Sequence, residues 1–361
     1  MHMEQYHALL KEILTNGEVQ FDPRTEEYTL GVQGWQYRFD LREMFPLVTT
    51  RVINPRLAIE ELFWKLRGER NIKSLSERNV RYWNQNAFQK HLERKGLKEK
   101  LPKHSKEWED AFREYDSHVS SDPGFAEKEG DLGPVYGYQW RHWRNSKGEE
   151  VDQLEDLLKG IRTKPGSRYH TLNAYNPGEL KGMAIGPCPF WHQFTVYGKN
   201  LDLHMVQRSC DIFLGVPYND AQDAVLLSLI AKETGLQPRR FTHTFINTHA
   251  YLGVPPRSEF WLDSKNVEEF QSQMRAARQR VQYPEIKEWY LKEAPPENNR
   301  DEGKDHIPDI LTQLSKEPQA HPKVELANIP LSEAINMRAE EVVTITGYKP
   351  HKWKTKARMA A

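Results

Sequence analysis

Apolar residues recur at helical spacing from Tyr6 to Leu14 and stop at Asn16-Gly17, which predicts a short opening helix. Tyr28 to Leu41 alternates like two strand segments around Gly31 and Gly34, and Leu57 to Leu66 is an amphipathic helix reading Leu-Ala-Ile-Glu-Glu-Leu-Phe-Trp. From Gln89 to about Glu129 charge dominates and apolar periodicity is poor, so this stretch reads as a helical or partly ordered insertion without chemistry of its own. Val151 to Ile161 predicts another helix, Leu201 to Val206 and Phe241 to Asn247 predict half-buried strands, and Asp220 to Thr234 predicts a helix stopped by Gly235. A second charged stretch, Ser264 to Asp305, contains Pro295-Pro296-Glu297-Asn298-Asn299 and reads as an insertion with a flexible loop. No internal repeat breaks the pattern. A single α/β (α+β) domain with charged insertions at about 89–129 and 253–304 is the simplest account.

Composition narrows the partners. Lys plus Arg and Asp plus Glu number 51 each over 361 residues, so no net field attracts nucleic acid or an anionic membrane, and an anionic ligand must be gripped locally. No apolar run approaches the ~20 residues that span a bilayer, and the start Met1-His2-Met3-Glu4-Gln5 has no apolar signal segment; a cytoplasmic location is expected. The two cysteines belong to no Cys-x-x-Cys pair, so no metal or redox motif competes for them.

The chemistry concentrates around Cys188. It lies in Gly186-Pro187-Cys188-Pro189-Phe190-Trp191-His192-Gln193-Phe194, followed by Gln207-Arg208-Ser209-Cys210-Asp211 and Leu214-Gly215-Val216-Pro217-Tyr218-Asn219. An isolated cysteine is most often a small buried hydrophobe. A thiol, a fixed cation, a carboxylate and an amide in one short stretch are instead what covalent chemistry on a phosphorylated heterocycle needs.

These three segments, in this order, resemble the thymidylate synthase family, which includes the pyrimidine-nucleotide hydroxymethylases. Further matches are Phe45-Pro46-Leu47-Val48-Thr49-Thr50, Glu61-Leu62-Phe63-Trp64, Gly130 to Gly137, Gln139-Trp140-Arg141, Thr248-His249-Ala250-Tyr251 and Gly347-Tyr348-Lys349-Pro350-His351. The resemblance implies the thymidylate synthase fold, a mixed sheet packed with helices. It also implies a homodimer whose active sites each borrow an arginine from the other subunit.

It assigns roles as well. Cys188 adds to C6 of the pyrimidine, since C5 is a poor nucleophile until something does, and a fixed cation beside a thiol favours the thiolate. Arg208 and Ser209 hold the 5′-phosphate with Arg24, with Arg168 reaching across the dimer, while Gln207 lies in the same binding segment. The Asn219 amide pairs with O4 and N3 of uracil, with Asp220 next to it as a possible modifier of base preference; His249 and Tyr251, two apart on a strand, share a face and meet the sugar hydroxyl. Glu61 and Tyr136 organise proton transfer at the ring. Trp83, Ile185, Leu214, Gly215 and Tyr218 form the wall on which a reduced folate stacks, and Asp211 contacts its pterin, so the implied donor is 5,10-methylenetetrahydrofolate.

Each assignment has a plainer counterpart. A lone Arg208 is usually a surface charge or an ion-pair partner of Asp211, Asp220 is ordinary in a helix's first turn, Glu61 is ordinary on a helix, and aromatics more often build cores. Several positions also depart from ordinary thymidylate synthases: Pro189 for a histidine, Tyr169 for a phosphate arginine, Asn86 for a folate-site tryptophan, Asp220 and Gln222 within a segment that usually reads Asn-Ile-Ala-Ser, Glu26-Glu27-Tyr28 for a glycine-rich loop, and the end Met359-Ala360-Ala361 for a terminal valine. After the one-carbon unit reaches C5, capture by hydride gives methyl and capture by water gives hydroxymethyl. The departures favour a deoxyuridylate 5-hydroxymethylase, with thymidylate synthase as the alternative. Cytidylate or ribonucleotide substrates, and an inactive nucleotide- or RNA-binding relative, are the remaining readings.

Overall fold

The computed structural model describes residues 2–103, 105–298, 302–353, 355, 357 and 358. Residues 299–301 of the expected flexible loop and the end Met359-Ala360-Ala361 lie outside them. Six strands make the central sheet: β1 (Glu18–Asp22), β2 (Glu27–Asp40), β3 (Thr171–Asn173), β4 (Pro189–Tyr197), β5 (Asn200–Asp211) and β6 (Gln237–Tyr251). Their spatial order is β1-β2-β6-β5-β4-β3, and every neighbouring pair is antiparallel except β5 and β6. A parallel pair cannot be closed by a tight turn, and the crossover here is the helix Gly215–Glu233. This is the mixed α/β architecture that the sequence predicts.

Several elements run longer than their periodicity suggests. Tyr28 to Leu41 is one continuous strand rather than two, because Gly34 takes φ +76° within it and Gly31 lets the strand lie flat on β6; a Cβ there would sit 2.9 Å from the Thr248 carbonyl. The long helix begins at Gly215, ahead of Asp220, since Pro217 falls in the first turn, where a missing N–H breaks no helical bond. The opening helix spans His2–Asn16, and Asn54 caps the helix Pro55–Leu66 by accepting from the Arg56 N–H.

One face of the sheet is the core. Tyr37 and Phe39 of β2, Leu203 and Met205 of β5 and Phe241 and Phe245 of β6 share a buried cluster with Tyr6, Leu10, Ala221, Ala224 and Val225 from helices. On the opposite face Trp191, Tyr197 and Ile246 stand exposed. The first charged stretch is helical. Asn84–Lys95, Lys106–Ser121 and Pro123–Glu129 close a second cluster in which Phe88, Trp108, Tyr115, Val119 and Ala126 meet Trp64, Trp83 and Tyr136. The second stretch holds the helices Ser264–Ala276 and Gln282–Glu293, with Phe270, Met274, Ile286 and Tyr290 joining the main core. Among the described residues no helix is long and apolar enough to cross a membrane.

Candidate active site

Cys188 sits half-buried in the loop entering β4, where the register against β5 slips between Pro189 and Trp191. A slip of this kind turns side chains away from the regular alternation. The Cys188 N–H donates to the Tyr136 hydroxyl at 3.0 Å, and its carbonyl accepts from the Arg208 N–H at 2.9 Å. Arg208 turns its guanidinium back along the same loop, Nε to the Pro187 carbonyl at 3.0 Å and Nη2 to the Gly186 carbonyl at 2.5 Å. The thiol itself makes only a long contact, Sγ to the Gly186 carbonyl at 4.0 Å, so its place is set chiefly by its backbone. Cys210, by contrast, is fully buried in β5, and burial pushes its thiol well above the ordinary cysteine range.

Tyr136 is fixed from behind. Its φ of +40° is a conformation that non-glycine residues rarely adopt, and the next residue, Gly137, lies so close to the Pro55–Leu66 helix that a Cβ there would come 1.9 Å from the Lys65 carbonyl. Burial, with Cys188 beside it, pushes the Tyr136 hydroxyl well above the usual tyrosine range, so it keeps its proton. The ring faces the Lys65 ammonium at 4.5 Å, and its edge meets Trp83 at 5.4 Å between centroids.

Glu61 lies on the same helix with both oxygens engaged: Lys65 Nζ is 3.0 Å from Oε1 and the Tyr82 hydroxyl donates to Oε2 at 2.6 Å. Lys65, Tyr82 and Gln222 are members of this cluster that motif matching does not mark as site residues. A signal for Lys65 was present in the sequence, a charged residue inside the apolar run Leu62-Phe63-Trp64-Lys65-Leu66 and one helical turn after Glu61.

The side expected to read the base is built from β5 and the long helix. Gln207 is buried, and its amide donates to the Ser209 carbonyl at 3.0 Å and to Asn219 Oδ1 at 3.2 Å, while the Asn219 NH2 group donates to none of the described residues. Asp211 Oδ1 accepts from the Phe213 and Leu214 N–H groups at 3.0 Å each and so steers the chain into that helix. His249 and Tyr251 do share a face, ring edge to ring at 5.4 Å. Burial holds the His249 imidazole below its ordinary value and thus neutral; with Nδ1 2.7 Å from Asn247 Oδ1, the proton belongs on Nδ1 and Nε2 is left as an acceptor. Burial pushes the Tyr251 hydroxyl far up.

The remaining expected residues are placed more loosely. Arg24 occupies the turn between β1 and β2, half-exposed, with Asp22 3.9 Å away. Arg168 is exposed, its carbonyl accepting from Gln193 Nε2 and its guanidinium meeting no partner among the described residues. Asp220 is fully buried with Oδ1 2.7 Å from His243 Nδ1, so this carboxylate points into the interior between helix and sheet. The residues expected to form a folate wall come from three parts of the chain: Trp83 and Ile185 pack in the second cluster, Leu214 and Tyr218 border the first, and Tyr82 and Tyr218 join the two at 6.5 Å. Gly215 keeps the space between Asp211 and Asn219 open, since a Cβ there would lie 3.6 Å from the one and 3.7 Å from the other.

The family model described as "Thymidylate synthase" matches residues 4–361. Among curated proteins, thymidylate synthases of Listeria monocytogenes (serotype 4a and serovar 1/2a) and Listeria innocua are 39% identical over 260 residues, 69% of this chain and 82% of theirs. A further Listeria monocytogenes thymidylate synthase, from serotype 4b, is 40% identical over the same coverage. A family match over nearly the whole chain and identities near 40% across two thirds of it show that the chain is a member of the thymidylate synthase family, a family of one-carbon transferases.

Proposed function

We propose that this chain methylates C5 of deoxyuridylate, making thymidylate. The observation that carries the proposal is two groups held by adjacent strands: Cys188, fixed through Tyr136 and Arg208, and Asn219, fixed through Gln207, which pairs with Pro189 across the sheet. The Cys188 thiolate adds to C6, and as the C6–S bond forms the ring's electron pair moves onto O4. There the Asn219 amide donates to the developing oxyanion while its oxygen accepts from N3–H, a pattern that suits uracil. Arg208 and Arg24 supply cations for the 5′-phosphate, Ser209 a hydroxyl, and Arg168 a further cation from a partner subunit. His249 and Tyr251 present a neutral acceptor and a donor to the sugar hydroxyl. Once C5 carries the one-carbon unit its proton leaves, with Glu61 as the group that relays it; when hydride reaches that carbon, the electron pair expels the thiolate, which breaks the C6–S bond and restores the 5,6 double bond.

When bound, 5,10-methylenetetrahydrofolate supplies the one-carbon unit and the hydride that reduces it. The residues present suit it: Gly215 leaves room beside Asp211, whose Oδ2 accepts from no other described residue, and Trp83, Ile185, Leu214 and Tyr218 offer apolar surface. The exposed sheet face, with Trp191, Tyr197 and Ile246, suits pairing with a second copy, which is how Arg168 would reach a neighbouring site. Mass in solution tests that pairing.

The departures at Asn86 and Pro189 favour a second outcome, capture by water to give the 5-hydroxymethyl product. The relatives named thymidylate synthase favour methyl, and the proposal follows them rather than the preference read from the departures. The test is to follow deoxyuridylate consumption against dihydrofolate absorbance and product mass. One dihydrofolate per nucleotide with a methyl product supports the proposal; turnover without dihydrofolate, and product one oxygen heavier, overturns it.

A further inference from the structure

We infer that Lys65 is a positioning residue for Glu61, holding the carboxylate in one place behind the nucleophile; this rests on reading Glu61 as the group that moves protons at the pyrimidine. Lys65 is 2% exposed, so its ammonium has to be matched by protein groups. It meets three: Glu61 Oε1 at 3.0 Å, Gln222 Oε1 at 2.7 Å and the face of the Tyr136 ring at 4.5 Å. Gln222 cannot turn its amide the other way, because Nε2 already donates to the Ala58 carbonyl at 2.8 Å. With Lys65 on one oxygen and the Tyr82 hydroxyl on the other, the Glu61 carboxylate has a single rotamer and a single orientation.

A buried ion pair by itself says little about stability, since apolar residues of similar size often do as well or better. What gives this one a function is its third contact. Tyr136, under the ammonium, accepts from the Cys188 N–H, so one side chain locks both the carboxylate and the tyrosine that holds the nucleophile. Lys65 reaches the Pro55–Leu66 helix, the long crossover helix and the turn at Tyr136 at once, and the three elements that carry Glu61, Asn219 and the Cys188 support are joined there. Its action is on turnover rather than on nucleotide binding.

The experiment compares wild type with Lys65→Met, Gln222→Leu and the double variant Lys65→Met/Gln222→Leu. Tritium release from C5-labelled deoxyuridylate is measured with methylenetetrahydrofolate, alongside melting temperature. The double variant is expected to melt lower than wild type, because Glu61 loses its cation even though the Lys65–Gln222 contact becomes apolar, so kinetics are compared at a temperature well below its transition. Its kcat for tritium release is expected to fall by about 100-fold, the scale of a misplaced catalytic group. Its nucleotide KM should stay within about threefold, as for an interaction used only after binding. A folded double variant with wild-type kcat overturns the inference, as does a fall in kcat matched by an equal rise in KM. Tritium release precedes the capture step, so a wild type that releases tritium without making dihydrofolate refutes the methyl product and leaves the Lys65 comparison standing. No release from any pyrimidine nucleotide refutes both.

Discussion

The wall around Cys188 and the interior behind the Gly215–Glu233 helix are built on opposite principles. At the wall, side chains hold the backbone: Gly186, Pro187 and Cys188 are pinned by Arg208 one strand away, and Asp211 steers Leu214 into the helix that bears Asn219. In the interior, polar side chains are buried directly against each other: Lys65 with Gln222, His243 with Asp220, and His192 with Asp223 at 2.9 Å. The wall is tuned for exposure and charge. The interior pairs each of these side chains at least once, since a buried polar group left alone costs about 1–3 kcal/mol, although His192 Nδ1, Asp223 Oδ2 and His243 Nε2 have no partner among the described residues. Changes at the wall should therefore register in turnover and changes in the interior in stability, with Lys65 the place where the two meet.

The two thiols break that comparison most sharply. Cys188→Ala is expected to lower turnover by on the order of 10⁴-fold or more, as when a nucleophile is removed, while the fold persists. Cys210→Ala, in the buried strand, should leave turnover near wild type. A Cys210 variant as inactive as the Cys188 variant would mean that the wrong thiol has been assigned. Steady-state kinetics on both decides it.

Base preference is a smaller effect at the same wall. Asn219→Asp replaces a donor with a carboxylate that repels O4 of uracil and accepts from the amino group of cytosine. The mismatch is worth about 1–3 kcal/mol, or roughly one to two powers of ten in the ratio of specificity constants for dUMP and dCMP. A wild type already preferring dCMP would contradict the uracil assignment.

In the interior, Asp223→Ala strips His192 Nε2 of its partner in a site closed by the edge of Trp140. A loss of about 1–3 kcal/mol in unfolding free energy is expected from denaturant titration, with far less change in turnover. Stability equal to wild type would show that this pair contributes nothing.

Asp305 should be silent in turnover and visible only in the pH dependence of stability. Burial pushes its carboxyl up to about 7 from 3.8, against the pull of Arg257, the Ile307 N–H and the Tyr290 hydroxyl. The folded state therefore keeps a proton that the unfolded state releases, and stability falls as pH rises from about 4 through about 7. Asp305→Asn is expected to flatten that decline in melting temperature, and an unchanged slope would contradict the buried, protonated carboxyl.

Much of the wall was legible because its residues sit in short runs whose chemistry is local, such as Pro187-Cys188-Pro189 and Gln207-Arg208-Ser209. The interior was not, because its partners are set only by the fold. Lys65 and Gln222 are separated by 157 positions, and Gln222 read as a mere interruption until the helix brought it under Lys65. Asp220 stood beside Asn219 in sequence and so suggested base reading, yet one step along a helix turns a side chain by about 100°, here into the interior against His243. The first charged stretch hid its helices for a related reason: Trp108, Phe112, Tyr115 and Val119 keep helical spacing, but the charges between them dilute it.

The central claim is that Cys188 bonds to the pyrimidine, and the most direct measurement of it is peptide mass spectrometry on the enzyme quenched during turnover of dUMP with methylenetetrahydrofolate. The account predicts a nucleotide-bearing adduct on the peptide containing Cys188, absent from the Cys188→Ala chain. An adduct on the Cys210 peptide, or product accumulating with Cys188 unmodified and dispensable, would contradict it.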